Sequence, residues 1–343
     1  MNVGPWHGEF DVALAAVRDG ALLARQIRRH TGETSFLKPD QSPVTIADFA
    51  VQALVAHWLS DAFPDDPIVA EEDAAALRAP TGQGALESVL AAVRRIVPDL
   101  DASRVLDLID RGRAAPAERF WTLDPVDGTE GFVRGDQYVV ALAMIVRQQV
   151  AIGVIGCPAL HSIAPLNAGG EPPVPLIEQD ANQIGWIACA VRGCGAWAAS
   201  LHDQAFSPLH VSTCRDPRAA RVLRSVEAAH IDLARFNAIV ETLGVQTPPV
   251  LMDSQAKHAI IAGGGADLLI RVPATKAFRD KIWDQAAGLL IIEEAGGRVT
   301  DLNGVPLDFG AGRLLTGNEG VIASNGVLHD AVVDATRSAT MKQ

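Results

Sequence analysis

Three things are scarce in this 343-residue chain, and each removes a class of function. The four cysteines, Cys157, Cys189, Cys194 and Cys214, include no CxxC pair. That spacing argues against a thiolate zinc site and fits a reducing compartment, with free thiols as the default. No uninterrupted apolar run of about 18 residues occurs, and no charged stretch followed by a hydrophobic one opens the chain. A soluble, cytoplasmic protein without a membrane span is expected. Positive charge is also short: 29 Lys and Arg face 41 Asp and Glu, a formal net charge of −12. Such a balance excludes general nucleic-acid affinity, and a phosphorylated substrate would have to be met by metals and by cations gathered locally. No internal repeat is found.

What the chain does have is apolar content and alternation. At 48% hydrophobic residues it can bury a full core, and its length exceeds one typical α/β unit, so two packed halves are expected, 1–160 and 161–343. Phe10, Leu14, Val17, Ala21 and Ala24 mark a first amphipathic helix. Further patterns predict a helix after Asp48, a strand ending at Ala70, helical patches over 85–97 and 104–110, and strands over 121–123, 138–146 and 150–155. Residues 162–183 are Pro- and Gly-rich and read as a surface loop, followed by strands turning around Gly193 and Gly195. The C-terminal half predicts a strand over 222–226, a helix over 233–243, a helix near Ala256, a strand over 268–271 and a helix over 283–294. Strands and helices alternating in both halves imply α/β layers.

Four acidic segments carry the chemistry. In FWTLDPVDGTEG, residues 120–131, Asp124 and Asp127 flank a Pro-Val step and run into Gly128 and Thr129. Carboxylates, backbone donors and a hydroxyl at that density suit a hard divalent cation such as Mg²⁺ and a phosphate, although Asp-Pro and Asp-Gly are also ordinary turn dipeptides. DPIVAEED, residues 66–73, is a short apolar run ending in three acids. Adjacent carboxylates repel unless a cation sits among them; alternatively Glu72 and Asp73 start the Ala-rich helix that follows, an account that suits Glu71 less well. Thr45 and Asp48 have the spacing of a capping box, so Asp48 can be a plain cap. Asp284, in KIWDQAAGLLIIEEAGG, stands in the first turn of a predicted helix, where a cap is an equally good account. A cationic group, Lys257, Arg271, Lys276, Arg279 and Lys281, lies nearby in sequence; such a run is either a solvated face or a phosphate contact.

The order of these pieces, together with SPVTIADFAVQ, VAEED, FWTLDPVDGTEGFVRGDQYVVALAMI, VIGCPAL, SVEAAH, MDSQAKHA, LLIRVP and KIWDQAAGLLIIEEAGGRVTDLNGVPLDF, resembles the lithium-sensitive, Mg²⁺-dependent phosphatase superfamily that contains inositol monophosphatases and fructose-1,6-bisphosphatases. DPxDGT with WDxAAG carries the superfamily; FVRGDQY, SVEAAH and MDSQAK narrow it to the 3′(2′),5′-bisphosphate nucleotidases, over residues of about 8 to about 325.

The resemblance implies a five-layer α/β/α/β/α sandwich with the site between the halves, the metal site mostly in 1–160, and nucleotide contacts with Asp284 in 161–343. It implies two to three Mg²⁺ ions: Asp124 bridging two, Asp127 and Asp284 completing one, Glu71 and the Val126 carbonyl completing the other, and a looser third held partly by Glu71. The choice of Glu71 over Glu72 rests on the family alone. Thr129 and Asp48 would orient and deprotonate the attacking water, Gly128 and Thr129 would cradle the phosphate, and Asp284 would also border the substrate. His230, Ser254, Lys257 and Arg271 would hold the nucleotide, although His230 by itself reads more readily as a structural histidine and only its family context reverses that. The implied reaction removes the 3′-phosphate of adenosine 3′,5′-bisphosphate, with the sulfated nucleotide PAPS as a further substrate, within sulfur metabolism. One departure stands out: Glu130 follows the Thr where this branch commonly carries lysine. The alternatives are an inositol monophosphatase or inositol polyphosphate 1-phosphatase-like enzyme on the same scaffold, and a catalytically silent regulatory protein. Oligomeric state is not legible.

Overall fold

The computed structural model describes residues 3–31, 35–37, 43–163, 185–227 and 231–341. The chain opens with α1 (His7–Thr31), an antiparallel pair of short strands, β1 (Ser35–Leu37) and β2 (Pro43–Thr45), and α2 (Ile46–Ala62). A seven-stranded sheet follows in sequential order: β3 (Ile68–Ala70), β4 (Arg119–Asp127), β5 (Val139–Val146), β6 (Gln149–Cys157), β7 (Trp186–Val191), β8 (Gly195–Ser200) and β9 (Ser207–Pro208). Only β3 and β4 pair in parallel, and their crossover holds α3 (Ala75–Arg78), α4 (Gln83–Val93) and α5 (Ala102–Asp110). Between β4 and β5 lies the short α6 (Thr129–Arg134). Residues 186–208, past the division expected at 160, thus supply three strands of this first sheet.

The second sheet has five strands, in the order β11 (Val250–Leu251), β10 (Val222–Arg224), β12 (Leu268–Arg271), β14 (Val321–Ser324) and β13 (Arg298–Thr300). Its helices are α7 (Leu233–Leu243), α8 (Ala256–Ala262), α9 (Ala286–Glu294) and α10 (His329–Met341).

Alternation along the strands sorts the core into three slabs. Val140, Leu142 and Met144 of β5 pack with α1 and α2 on one face, whereas Val139, Ala141, Ala143 and Ile145 face the slab that holds α8 and α9. Leu269 of β12 joins that middle slab from the other side, while Leu268 and Ile270 face α7 and α10. The result is the expected α/β/α/β/α stack. From Ala286 to Ile292 every residue of α9 is buried, as befits a helix held between two sheets. Cys157 and Cys189 are buried free thiols, and Cys194 and Cys214 are half-buried ones. Among the described residues, no helix is long and apolar enough to cross a membrane.

Candidate active site

Strand β4 delivers the acids because its ladder breaks there. Asp124 lies opposite Ala141 and Asp127 opposite Val139, so one extra residue is accommodated between them. Pro125 has no N–H to give a ladder, and the resulting bulge re-aims the chain. The Val126 N–H turns back to Asp124 Oδ1 at 3.1 Å. Asp124, Val126 and Asp127 all line a cleft of about 370 Å³ in consequence. Gly128 then takes a left-handed conformation with φ of 89° and starts α6. An added Cβ there would stand 3.0 Å from Ser254 Cβ and 3.2 Å from the Gln137 oxygen, so glycine is required twice over. The first N–H groups of α6 have no intrahelical partner, and Gly128, Thr129, Glu130 and Gly131 all border the cleft.

The helix-start aspartates separate once the structure is seen. Asp48 is a true cap: its Oδ2 accepts from Thr45 N at 2.8 Å and Thr45 Oγ1 at 2.7 Å. Its Oδ1 nevertheless accepts from Thr129 Oγ1 at 3.4 Å, and the same hydroxyl lies 3.1 Å from the Val126 oxygen. Asp284 caps nothing. The expected helix over 283–294 is a 3₁₀ turn, Ile282–Asp284, followed by α9, whose cap residue Gln285 makes no side-chain cap bond. That break leaves Asp284 facing the cleft.

The three acids after β3 also have three different fates. Glu71 enters the cleft, with Lys281 Nζ 3.3 Å from its Oε1. Glu72 is buried away from it, its backbone N–H donating to Gln52 Oε1 at 3.0 Å. Asp73 accepts from Ala75 N at 2.8 Å and serves the start of α3.

Cations line the same cleft and form its cationic wall. Lys257 of α8 is buried and donates to the Met252 oxygen at 2.9 Å. Arg271, at the end of β12, pairs with Asp280 and lies over the Phe278 ring at 5.6 Å. Ser254, also lining the cleft, holds a φ of 62°, a strained value for a residue with a Cβ. Lys276 and Arg279 do not line the cleft; Arg279 is spent on the oxygens of Lys276, Phe278 and Thr316. His230 lies outside the described residues.

Sequence reasoning missed Gln255 and His258. The Gln255 N–H donates to Asp127 Oδ2 at 2.6 Å, while its side chain joins the Trp283 oxygen and the Gly288 N–H. It thereby fixes an acid of one half to the middle-layer helices of the other. His258 lines the cleft and is pushed down to about 3 by burial, so it stays neutral. Neither had a local signal, since their partners are remote in sequence.

The electrostatics test whether a cation belongs here. Burial, then the charges of Glu71, Asp127, Asp284 and Asp48, hold Asp124 well above the usual carboxylate range. Burial, Asp127 and Glu71 push Asp284 up to about 8. Asp127 is raised by burial against the pull of Lys257, the Gln255 N–H and Arg271. On the other wall, burial lowers the Lys257 ammonium to about 8. Burial would depress Arg271 too, but Asp280, Asp284 and Asp127 keep it above its ordinary value. Acids that crowd this closely in a buried place fit bound divalent cations, and an all-oxygen donor set suits a hard one. Among the described residues no three acidic, histidine or cysteine side chains converge closely enough to hold a metal by themselves.

Comparison with known proteins gives the family and the fold. The inositol monophosphatase family model matches residues 8–341. A 3′(2′),5′-bisphosphate nucleotidase of Schizosaccharomyces pombe is 37% identical over 97% of this chain and 96% of its own length. One from Oryza sativa is 37% identical over 99% of this chain and 96% of its own. Among solved structures, an IMPase of Thermotoga maritima superposes with a TM-score of 0.64 at 21% identity, covering 97% of this chain and 98% of that one, which supports the fold. Family members depend generally on divalent metal. The chain is a phosphatase that belongs to the inositol monophosphatase family, in the branch of the 3′(2′),5′-bisphosphate nucleotidases.

Proposed function

We propose that this enzyme uses Mg²⁺ to hydrolyse the 3′-phosphate of adenosine 3′,5′-bisphosphate to AMP and phosphate, and acts on PAPS in the same way. The observation that carries the reading is one cleft lined both by acids, Glu71, Asp124, Asp127 and Asp284, and by cations, Lys257 and Arg271. A substrate with two phosphates matches both. Lys257 offers a point charge and Arg271 a fork to the non-scissile phosphate, with Ser254 and His230 completing the nucleotide contacts. An inositol monophosphate would have no second phosphate for that wall.

Glu71, Asp124, Asp127, Asp284 and the Val126 carbonyl would hold two ions, with a third partly on Glu71. What the ions supply when bound is neutralisation of the acids, a lowered pKa for the attacking water and stabilisation of entering and leaving oxygens. The chain's own part is proton movement and orientation. Thr129 Oγ1 accepts the water proton as it passes its own to Asp48 Oδ1, 3.4 Å away in the resting enzyme. Asp48 is held for this by the two Thr45 bonds to its other oxygen. The water oxygen bonds to phosphorus, the P–O3′ bond breaks, and the ribose oxygen takes a proton from solvent. Gly128 and Thr129 orient the phosphate with α6 amides. Glu130, which also lines the cleft, adds negative charge there and bears on substrate affinity or preference rather than on the metal chemistry.

Phosphate release from adenosine 3′,5′-bisphosphate, PAPS, inositol 1-phosphate, inositol 1,4-bisphosphate and fructose 1,6-bisphosphate tests the assignment. The adenosine nucleotides should lead, with activity abolished by EDTA and inhibited by Li⁺ and Ca²⁺. Preference for an inositol phosphate would overturn the substrate reading, and full activity in EDTA would overturn the metal reading.

A further inference from the structure

Arg134, the last residue of α6, joins segments that the fold brings together from far apart. Its Nε lies 2.9 Å from Asp136 Oδ2 in its own turn, while Nη1 pairs with Glu227 and Nη2 with Asp253. Glu227 and Asp253 belong to the other half of the molecule, in SVEAAH and MDSQAK, and Arg134 belongs to FVRGDQY. A planar guanidinium with five donors can satisfy three carboxylates at once.

Asp253 is the partner that matters for the cleft. Its side chain is only 8% exposed, and a buried carboxylate needs a counter-charge. Its Oδ1 takes the Val226 N–H at 3.3 Å and its Oδ2 takes Arg134. Four residues on, Lys257 feels the pull of both Asp127 and Asp253. Asp253 and Lys257 both border the cleft, so with Arg134 absent Lys257 would be the cation left to answer the buried charge of Asp253, and its own charge would be drawn off the substrate. The seam itself would persist without Arg134. Gln255 N is tied to Asp127 Oδ2 at 2.6 Å, and Gly128 and Gly131 pack so closely that added Cβ atoms would stand 3.0 Å from Ser254 Cβ and 3.2 Å from Asp253 Oδ2.

We infer that Arg134 is a positioning residue for substrate selectivity: by engaging Asp253 it leaves Lys257 to the non-scissile phosphate. This rests on the nucleotidase reading above. The test is kcat and KM for adenosine 3′,5′-bisphosphate and for 3′-AMP in wild type, Arg134→Ala, Arg134→Lys and Arg134→Ala/Asp253→Asn, with circular dichroism and Tm for each. Arg134→Ala should raise KM for the bisphosphate by about tenfold or more and change kcat/KM for 3′-AMP by less than about threefold. Arg134→Lys, which keeps a charge beside Asp253, should retain most of the bisphosphate activity. The double variant should recover it as well, because the competing anion is gone. Recovery of that kind does not follow from a merely structural role. Equal losses on both substrates, or no recovery in the lysine and double variants, would overturn the inference while leaving the nucleotidase reading intact. A wild type that treats the two substrates alike would overturn that reading and the inference with it.

Discussion

The two walls of the cleft are charged in opposite senses, and they balance their charge differently. On the cationic wall Arg271 pairs with Asp280, and Lys257 lies under the pull of Asp127 and of Asp253, the latter also held by Arg134. On the acid wall, Glu71, Asp124, Asp127 and Asp284 share Lys281, whose Nζ lies 3.3 Å from Glu71, and the outer reach of Arg271. The cationic wall finds counter-charges within the fold; on the proposed reading the acid wall would be completed by cations from outside. The acid wall should therefore govern turnover and respond to metal and pH, and the cationic wall should govern which phosphate ester is chosen.

Removing a charge from the acid wall should have the largest effect. Asp124→Asn should keep the fold and lose about a thousandfold or more in kcat on every substrate, since the carboxylate proposed to be shared between ions would disappear. A variant retaining more than about a tenth of wild-type rate would rule out the shared-ligand role. Next comes the proton relay. Asp48→Asn retains cap-like geometry but cannot take the Thr129 proton, and kcat should fall on the order of a hundredfold with KM little changed. A large rise in KM with intact kcat would show that Asp48 only shapes the helix start.

A smaller effect concerns stability without metal. An Asp284 raised to about 8 in the fold but titrating near 4 when unfolded, roughly the ordinary value, binds its proton more tightly in the native state. Stability then falls as pH rises through that window. In EDTA, Tm should drop by roughly 5 °C between about pH 5 and pH 8, and Mg²⁺ should offset the drop by neutralising the wall. Asp284→Asn should flatten the metal-free curve. A metal-free Tm that climbs with pH would contradict this account of the acid wall.

The two walls also differed in how far the sequence revealed them. Asp124, Val126, Asp127, Gly128 and Thr129 are consecutive or nearly so, and Pro125 and Gly128 spell out the bulge and the left-handed turn within one pentapeptide. The strand at Leu268–Arg271 and the helix at Leu233–Leu243 were equally legible, because each has a clear period and a clear end. Strands of two or three residues, such as Ser207–Pro208 and Val250–Leu251, show no period to read. The α10 helix and the strands at Arg298–Thr300 and Val321–Ser324 went unread as well. Local pattern predicted one continuous helix over 283–294, and the break at Gln285 came from tertiary structure, where Gln285 and Asp284 turn inward. On the cationic wall, candidate residues were visible but their partners were not. The Arg134 to Asp253 contact spans 119 residues, and that of Gln255 with Asp127 spans 128. The run of basic residues did not by itself tell Lys257 and Arg271, which reach the cleft, from Lys276 and Arg279, which do not; the resemblance of MDSQAK and LLIRVP did.

The division of labour between the walls is tested most directly by kcat/KM for adenosine 3′,5′-bisphosphate and for 3′-AMP in wild type and Arg271→Ala, with circular dichroism to confirm folding. Loss of a charge-assisted contact to the second phosphate, about 1.5 to 3 kcal/mol, should lower the bisphosphate value roughly ten- to a hundredfold. The value for 3′-AMP, low from the outset, should fall far less. Equal losses on both substrates would mean that Arg271 supports the acid wall or the fold, and the assignment of separate tasks to the two walls would be wrong.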